Sequence, residues 1–288
     1  MTLGEKGRRL PEFEDQILTV DRLKVRVVRK LVQNRKSPPL LLFNGIGANS
    51  DLLMPLMQDL ASIECITFDM PGIGQSEATW IPMRFSALSK LSAKILDHFD
   101  YGKVDALGVS WGGGLAQEFA KIYANRCRRL ILAATSPGVV MVPSKPSVFI
   151  KLSTPKRYLD EEYLLEVAQD IYGGVLREHP EKIQEFAEHI KPAKSGRGYM
   201  NQLAAIVGWT SIHWLHKLSQ ETLILAGTDD PLVPLANGKI LAARIPNSQL
   251  VEINCGHLLL LTQRDVVVPK IQQFLLNEEC EPASTEVH

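Results

Sequence analysis

Two hydrophobic periods alternate along this chain. Strand-like apolar runs recur at residues 40–43, 65–68, 104–109, 129–134, 222–226 and 249–253. Between them lie segments in which apolar residues return every three or four positions, as in an amphipathic helix. These cover 51–61, 84–99, 115–123, 235–244 and 266–276, with Ser50 as a candidate cap for the first. Residues 16–20 and 23–30 instead alternate around Asp21-Arg22, the pattern of a hairpin. Strands that alternate with helices predict an α/β fold: a mostly parallel, eight-stranded sheet with helices on both faces.

One interval breaks this rhythm. Between Ser136 and Thr222 lie about eighty residues, far more than a sheet crossover needs. The segment carries helix signals at 160–171 and 181–190, then the stretch GWTSIHWLHKL from Gly208 to Leu218. Residues 1–137 and 220–288 are expected to form the core, and 138–219 a helical lid inserted into it. The lid's first part, 138–152, is rich in Val, Met, Pro and Phe and suits both an apolar entrance and packing onto the core. His213 and His216 fall three apart on a predicted helix, but no third ligand is in view, so a metal site is not expected.

The most informative motif is Gly108-Val109-Ser110-Trp111-Gly112, a G-x-S-x-G between a strand run and a helix run. In that setting the serine sits on a tight strand-to-helix turn and presents its hydroxyl above the sheet. Taken alone, Ser110 could equally be an ordinary N-cap. A serine hydroxyl is a weak nucleophile at neutral pH and needs an imidazole to take its proton. The imidazole in turn needs a carboxylate to fix its tautomer and support its charge. In this architecture the acid and then the histidine follow the serine along the chain. Here the run 222–226 ends in Gly227-Thr228-Asp229-Asp230-Pro231, and the run 249–253 ends in Asn254-Cys255-Gly256-His257. Both loops follow the carboxyl end of a strand, where α/β sheets place their ligand sites. Singly, the acids suit an Asx turn before Pro231 and His257 a buried, backbone-satisfied ring. Together the order Ser110, Asp229 or Asp230, His257 predicts a triad.

Composition changes little in this picture. The 288 residues are 45% hydrophobic and 22% charged, with 32 basic and 32 acidic side chains and no formal net charge. That is ordinary for a globular protein, and no basic patch suggests nucleic acid. No apolar run reaches transmembrane length or resembles a signal peptide, and the four cysteines are widely spaced without metal-like spacing. These features predict a cytoplasmic protein. Cys255, two before His257, is expected to serve packing.

The chain resembles the α/β-hydrolase superfamily over roughly residues 16–276. More narrowly it resembles the bacterial intracellular medium-chain-length polyhydroxyalkanoate depolymerases. The resemblance lies in Phe43-Asn44-Gly45-Ile46-Gly47-Ala48-Asn49, in Gly108 to Gly113, in Leu132-Ala133-Ala134-Thr135, in Met141-Val142-Pro143, in Gly208 to Leu218 and in LAGTDDPLVP from Leu225 to Pro234. It implies catalytic Ser110, Asp230 and His257, since the spacing from Gly227 to Pro234 favours Asp230 over Asp229. It implies an oxyanion hole made by the backbone N–H groups of Ile46 and Trp111. Asn44 stands where the superfamily usually has histidine, though the narrower family fits Asn44. Asp69 to Ser76 (DMPGIGQS) looks like the superfamily's D-x-P-G-x-G-x-S loop, a structural element rather than a dinucleotide site.

The implied reaction is hydrolysis of stored polyester to 3-hydroxyalkanoate units through an acyl-enzyme, with no metal or organic cofactor. The implied partners are the ester substrate and the granule surface; the oligomeric state stays open. Three other functions fit part of the same pattern: a small-molecule carboxylesterase or lactonase, a meta-cleavage-type carbon–carbon hydrolase, and a non-catalytic granule-coating or ligand-sensing protein. Dehalogenases and epoxide hydrolases of this fold place an aspartate where Ser110 stands.

Overall fold

A computed structural model describes residues 12–179 and 196–276. The predicted helix at 181–190 and the polar tail from Asn277 lie outside the described residues. Eight strands form one sheet: β1 (Glu12–Val20), β2 (Leu23–Leu31), β3 (Leu40–Phe43), β4 (Cys65–Phe68), β5 (Val104–Val109), β6 (Cys127–Ala133), β7 (Glu221–Gly227) and β8 (Ser248–Ile253). Their spatial order is β1-β2-β4-β3-β5-β6-β7-β8. The β1–β2 hairpin and the β2–β4 pair are antiparallel; every other pairing is parallel.

The central strands are apolar on both sides because both sheet faces are covered. In β3, Leu41 and Phe43 enter one core cluster and Leu40 and Leu42 the other. In β6, Leu130 and Leu132 face the first cluster, Ile131 and Ala133 the second. This period of two explains why the sequence shows continuous apolar runs here and alternation only in the edge hairpin.

Two expectations on local structure need correction. The predicted helix over 51–61 is a 3₁₀ turn (Ser50–Leu53) followed by a short helix (Met54–Asp59). Pro55 explains the break, because proline cannot donate inside a helix and is tolerated only in its first turn. Ser50 makes no side-chain cap; its backbone N–H goes to Asp69 Oδ1 at 2.7 Å. His213 and His216 do not share a helix: they lie in a turn and a 3₁₀ turn (Leu215–Lys217), both exposed. Ser211 N–H is drawn to Pro137 O at 2.9 Å, which fixes the backbone there before a helix can form. Among the described residues no three His, Cys, Asp or Glu gather into a metal site.

The loop after β4 is a structural knot, as its sequence suggests. The Asp69 carboxylate accepts the N–H groups of Ser50 and Gln75, and Ser76 Oγ donates to Asp69 O at 2.7 Å. Arg26, buried, binds Asp15 and Asp51 beside it. Through Ser50 this knot anchors the far end of the loop that follows β3.

Between β6 and β7 the chain leaves the sheet. Among the described residues it makes helices Pro146–Leu152, Glu161–Tyr172 and Arg197–Ile206 and the shorter Lys156–Leu159 and Val175–Glu178. Asp160 caps the second of these by accepting Tyr163 N–H at 3.0 Å. The outgoing and returning strands of this insertion are pinned together at its base. Gly138 bridges Thr210, Val139 N–H donates to Trp209 O at 3.0 Å, and Thr210 Oγ1 donates to Pro137 O at 2.7 Å. The insertion also has a small core of its own, in which Leu164, Val167, Ala168 and Ile171 meet Ala48 and Leu52 of the sheet domain.

Candidate active site

Ser110 sits between β5 and the helix Trp111–Ile122, with φ 56° and ψ −121°. A non-glycine residue at positive φ costs on the order of 1–3 kcal/mol and persists only when its surroundings impose it. Here they do. Ser110 N–H donates to Ala133 O at 2.9 Å, while Ser110 O accepts Thr135 Oγ1 at 2.6 Å and Gly113 N–H at 2.9 Å. The flanking glycines allow the tight crossing. A Cβ on Gly108 would lie 2.3 Å from Gly112 O, and one on Gly112 2.3 Å from Phe43 O. Ser110 occupies the N-cap position but makes no side-chain capping bond. Its hydroxyl is therefore not spent on the helix, as an ordinary N-cap's would be.

The two acids after β7 separate cleanly. Asp230 is buried, and its Oδ2 lies 2.8 Å from His257 Nδ1. Its Oδ1 accepts the N–H groups of Leu232 and Val233 at 2.9 and 2.8 Å, which aims the carboxylate. Asp229 points the other way, pairing with Arg177 and accepting Gly174 N–H at 2.8 Å. Burial works against its charged form, but the Gly174 N–H and Arg177 outweigh it and hold the carboxyl below the usual range.

His257 is buried too. Its backbone N–H donates to Tyr172 O at 2.7 Å, and the Tyr172 ring stacks on the imidazole at 6.5 Å. With Nδ1 committed to a carboxylate that can only accept, Nδ1 carries the proton and Nε2 is the free lone pair. Ser110 and His257 line one cavity of about 60 Å³. Ser110 also lines a second cavity of about 600 Å³, shared with Ile46 and Trp111. Val139, Phe149, Leu152, Tyr199 and Trp209 of the insertion form much of its wall.

The loop after β3 faces the same point. Ile46 and Gly47 are the central residues of a turn in which Ala48 N–H reaches Gly45 O at 3.3 Å. The N–H of the second residue of such a turn points outward, free of the turn's own hydrogen bond. Trp111 opens its helix, where the first N–H groups have no intrahelical acceptor. Asn44 braces the loop: its Nδ2 donates to Asn49 O at 2.6 Å and its Oδ1 accepts Gly45 N–H at 2.9 Å.

Cys255 is packed away from the chemistry. Its Sγ lies 3.1 Å from Thr262 Oγ1, and burial pushes the thiol upward. Other contacts gave no warning in the sequence. Tyr172, Gly174, Arg177 and Gln202 come from the insertion and reach the loops of the core only through the fold. Their nearest partners, Asp229, His257, Gly47 and Trp111, lie far away along the chain.

A hydroxyl on a strained turn and a buried carboxylate–imidazole pair, with the Ile46 and Trp111 N–H groups as candidate oxyanion donors, form an arrangement able to carry acyl transfer. Comparisons with known proteins identify the family. The model of the alpha/beta hydrolase fold family matches residues 38–263. A poly(3-hydroxyalkanoate) depolymerase of Ectopseudomonas oleovorans is 50% identical over 241 residues, 83% of this chain and 85% of that protein. A 3-oxoadipate enol-lactonase of Acinetobacter baylyi is 23% identical over 77% of this chain and 82% of its own length. Among solved structures, the enol-lactonase of Burkholderia xenovorans superposes with TM-score 0.77 at 19% identity, over 91% of this chain and all of the other. A thermophilic esterase of Thermogutta terrifontis gives 0.75 at 24% identity, over 91% and 98%. The chain is a hydrolase that belongs to the α/β hydrolase fold family and, within it, to the family of the Ectopseudomonas depolymerase.

Proposed function

We propose that this protein is a serine esterase that hydrolyses medium-chain-length poly(3-hydroxyalkanoate) to 3-hydroxyalkanoate units. Ser110 Oγ attacks the ester carbonyl while His257 Nε2 takes its proton and Asp230 orients the ring. The N–H groups of Ile46 and Trp111 hold the oxyanion, where losing one donor costs about 2.7–4 kcal/mol of barrier. As the ester C–O bond breaks, His257 gives its proton to the leaving alkoxide oxygen, which becomes the hydroxyl end of the released segment. Water, activated by the same imidazole, releases the acid from Ser110. Every step uses groups of this chain and water, and none calls for a cofactor.

The observation that carries this reading is the position of Ser110 at the wall of a large apolar cavity, beside the buried Asp230–His257 pair. Residues 138–219 act in this proposal as the lid. The cavity's size suits an alkyl-bearing acyl group. Its mouth is apolar as well: Val139, Phe149 and Val207 line the cavity and are also exposed. Trp80 is also 86% exposed and stacks under Arg197 of the insertion. Exposed apolar side chains at a cavity mouth suit a docking site, in this proposal for the polyester granule in the cytoplasm. Among the described residues no helix is long and apolar enough to cross a membrane.

The test is hydrolysis of amorphous medium-chain-length polyhydroxyalkanoate particles, beside short p-nitrophenyl esters, by wild type and Ser110→Ala. Clearing of particles that disappears in the variant is expected. Short-ester turnover without clearing would leave a small-ester hydrolase. No turnover of either substrate, with no labelling by a serine-directed phosphonate, would leave a binding protein.

A further inference from the structure

One residue of the insertion grips both sides of the proposed oxyanion hole. Gln202 lies on the helix Arg197–Ile206 and is 3% exposed. Its Oε1 accepts Gly47 N–H at 2.8 Å, and its backbone O accepts Trp111 Nε1–H at 2.9 Å. Gly47 directly follows Ile46, and Trp111 is itself the second donor residue. The two donors come from separate loops of the core, after β3 and after β5, and Gln202 bonds to both loops.

The loop after β3 needs such a brace. Gly47 has φ 77°, in the left-handed region. Its turn is closed only by the 3.3 Å contact from Ala48 N–H to Gly45 O, beyond the ordinary range for N–H···O bonds. Asn44 fixes the incoming end of the turn. Gln202 fixes the peptide between Ile46 and Gly47, and with it the rotation of the whole turn. The amide's orientation follows from chemistry, since Gly47 N–H can only donate and Oε1 must face it.

That arrangement leaves Gln202 Nε2 buried with no partner among the described residues. A buried amide with half its polar atoms unpaired is a poor choice for packing alone. Local rules are broken in this way where the other half of the group does something the site needs.

We infer that Gln202 is a positioning residue: by holding the Ile46–Gly47 peptide and the Trp111 indole, it keeps the backbone N–H groups of Ile46 and Trp111 aimed at the oxyanion. It thereby makes full activity depend on the seating of its helix on the core. The inference rests on the proposed roles of Ser110, Ile46 and Trp111. Misplacing catalytic groups by about 1 Å costs up to 10²-fold, so an indirect brace should matter less than a direct donor but measurably.

The experiment uses the full chain and a short p-nitrophenyl ester, so that polymer preference does not enter. Gln202→Met keeps length and bulk and removes the side-chain acceptor. Its kcat is expected to fall about tenfold while KM stays within about twofold. A small alkyl boronic acid, which adds the Ser110 oxygen to form a tetrahedral anion, should lose affinity by the same factor. Trp111→Phe removes the Nε1 donor together with part of the indole's bulk, and should show the same signature at about threefold. This second variant carries the test if the first fails to fold.

Unchanged kcat and boronate affinity in the folded variants would overturn the role of Gln202, as would a loss confined to KM or to melting temperature. Boronate affinity that survives Ser110→Ala would instead overturn the reading of the site, and the role of Gln202 with it.

Discussion

Core and insertion bring different things to one site. From the core come Ser110, Asp230 and His257, each just past the carboxyl end of a parallel strand and each held by backbone hydrogen bonds. From the insertion come the apolar wall, with Val139, Phe149 and Leu152, and the braces Tyr172, Gly174 and Gln202. Strand ends are fixed by sheet register to within a fraction of an ångström, so groups that must meet in one geometry belong there. A wall that only excludes water and accepts alkyl groups can be built from a helical excursion. Under the proposed function, the difference assigns bond cleavage to the sheet and substrate choice to the insertion.

The hardest way to break this comparison is to exchange the roles of the adjacent acids. Asp230→Asn leaves the shape of the loop and removes the charge facing His257. A fall in kcat on the order of 10³–10⁴ is expected for short esters and polymer alike. Asp229→Asn, one residue away, should leave kcat within about threefold, because that carboxylate faces Arg177. Steady-state rates of the two purified variants check this directly. Equal losses would mean that the core and the insertion are not separable in the way proposed.

A smaller effect should appear at the mouth. Phe149 is 65% exposed yet lines the large cavity. Phe149→Asp places a charge where an apolar polymer surface is proposed to rest. Hydrolysis of polymer particles is expected to fall about tenfold, as for loss of one partly buried aromatic contact. Turnover of a short ester should stay within about twofold. A parallel loss on both substrates would show that Phe149 serves the site rather than its access.

The sequence made the core legible and, in the insertion, the helix Glu161–Tyr172 but not the contacts it makes. The runs at 40–43 and 65–68 coincide with β3 and β4 because continuous apolar stretches bounded by turns have one good solution in a sheet covered on both faces. Ser110, an acid at 229 or 230 and His257 stood out as candidates for a related reason: their order and their place after strand runs are properties of the chain itself. Asp229 and Asp230 could not be told apart by residue type, since adjacent carboxylates differ only in which way the turn points them. Resemblance favoured the second, and that is the acid beside His257 in the structure. The contacts of Gln202 and Tyr172 had no such signal. They depend on how a non-periodic segment folds back over loops 91 or more positions away in the case of Gln202, and no local pattern encodes that.

The finest test concerns the seam where insertion and core meet near His257. Asp229 accepts Gly174 N–H and pairs with Arg177, so it ties the turn after helix Glu161–Tyr172 to the loop after β7. Because this carboxyl is held below its usual range in the folded protein, its ionised form favours folding. The stability it adds is complete above the unfolded value of about 3.9 and is lost as pH falls through the lower folded value. Asp229 is nearly half exposed, so the effect is modest: Asp229→Asn should lower the melting temperature by about 1–3 °C at pH 7. The gap between wild type and variant should hold from pH 8 to about 5 and then close as pH falls below about 4. Melting curves of the two proteins across that range isolate the single carboxyl, because their other titrating groups cancel in the difference. A gap that persists unchanged into acid would mean that ionisation of Asp229 plays no part in joining the insertion to the core, and that the tie to Gly174 rests on hydrogen bonding alone.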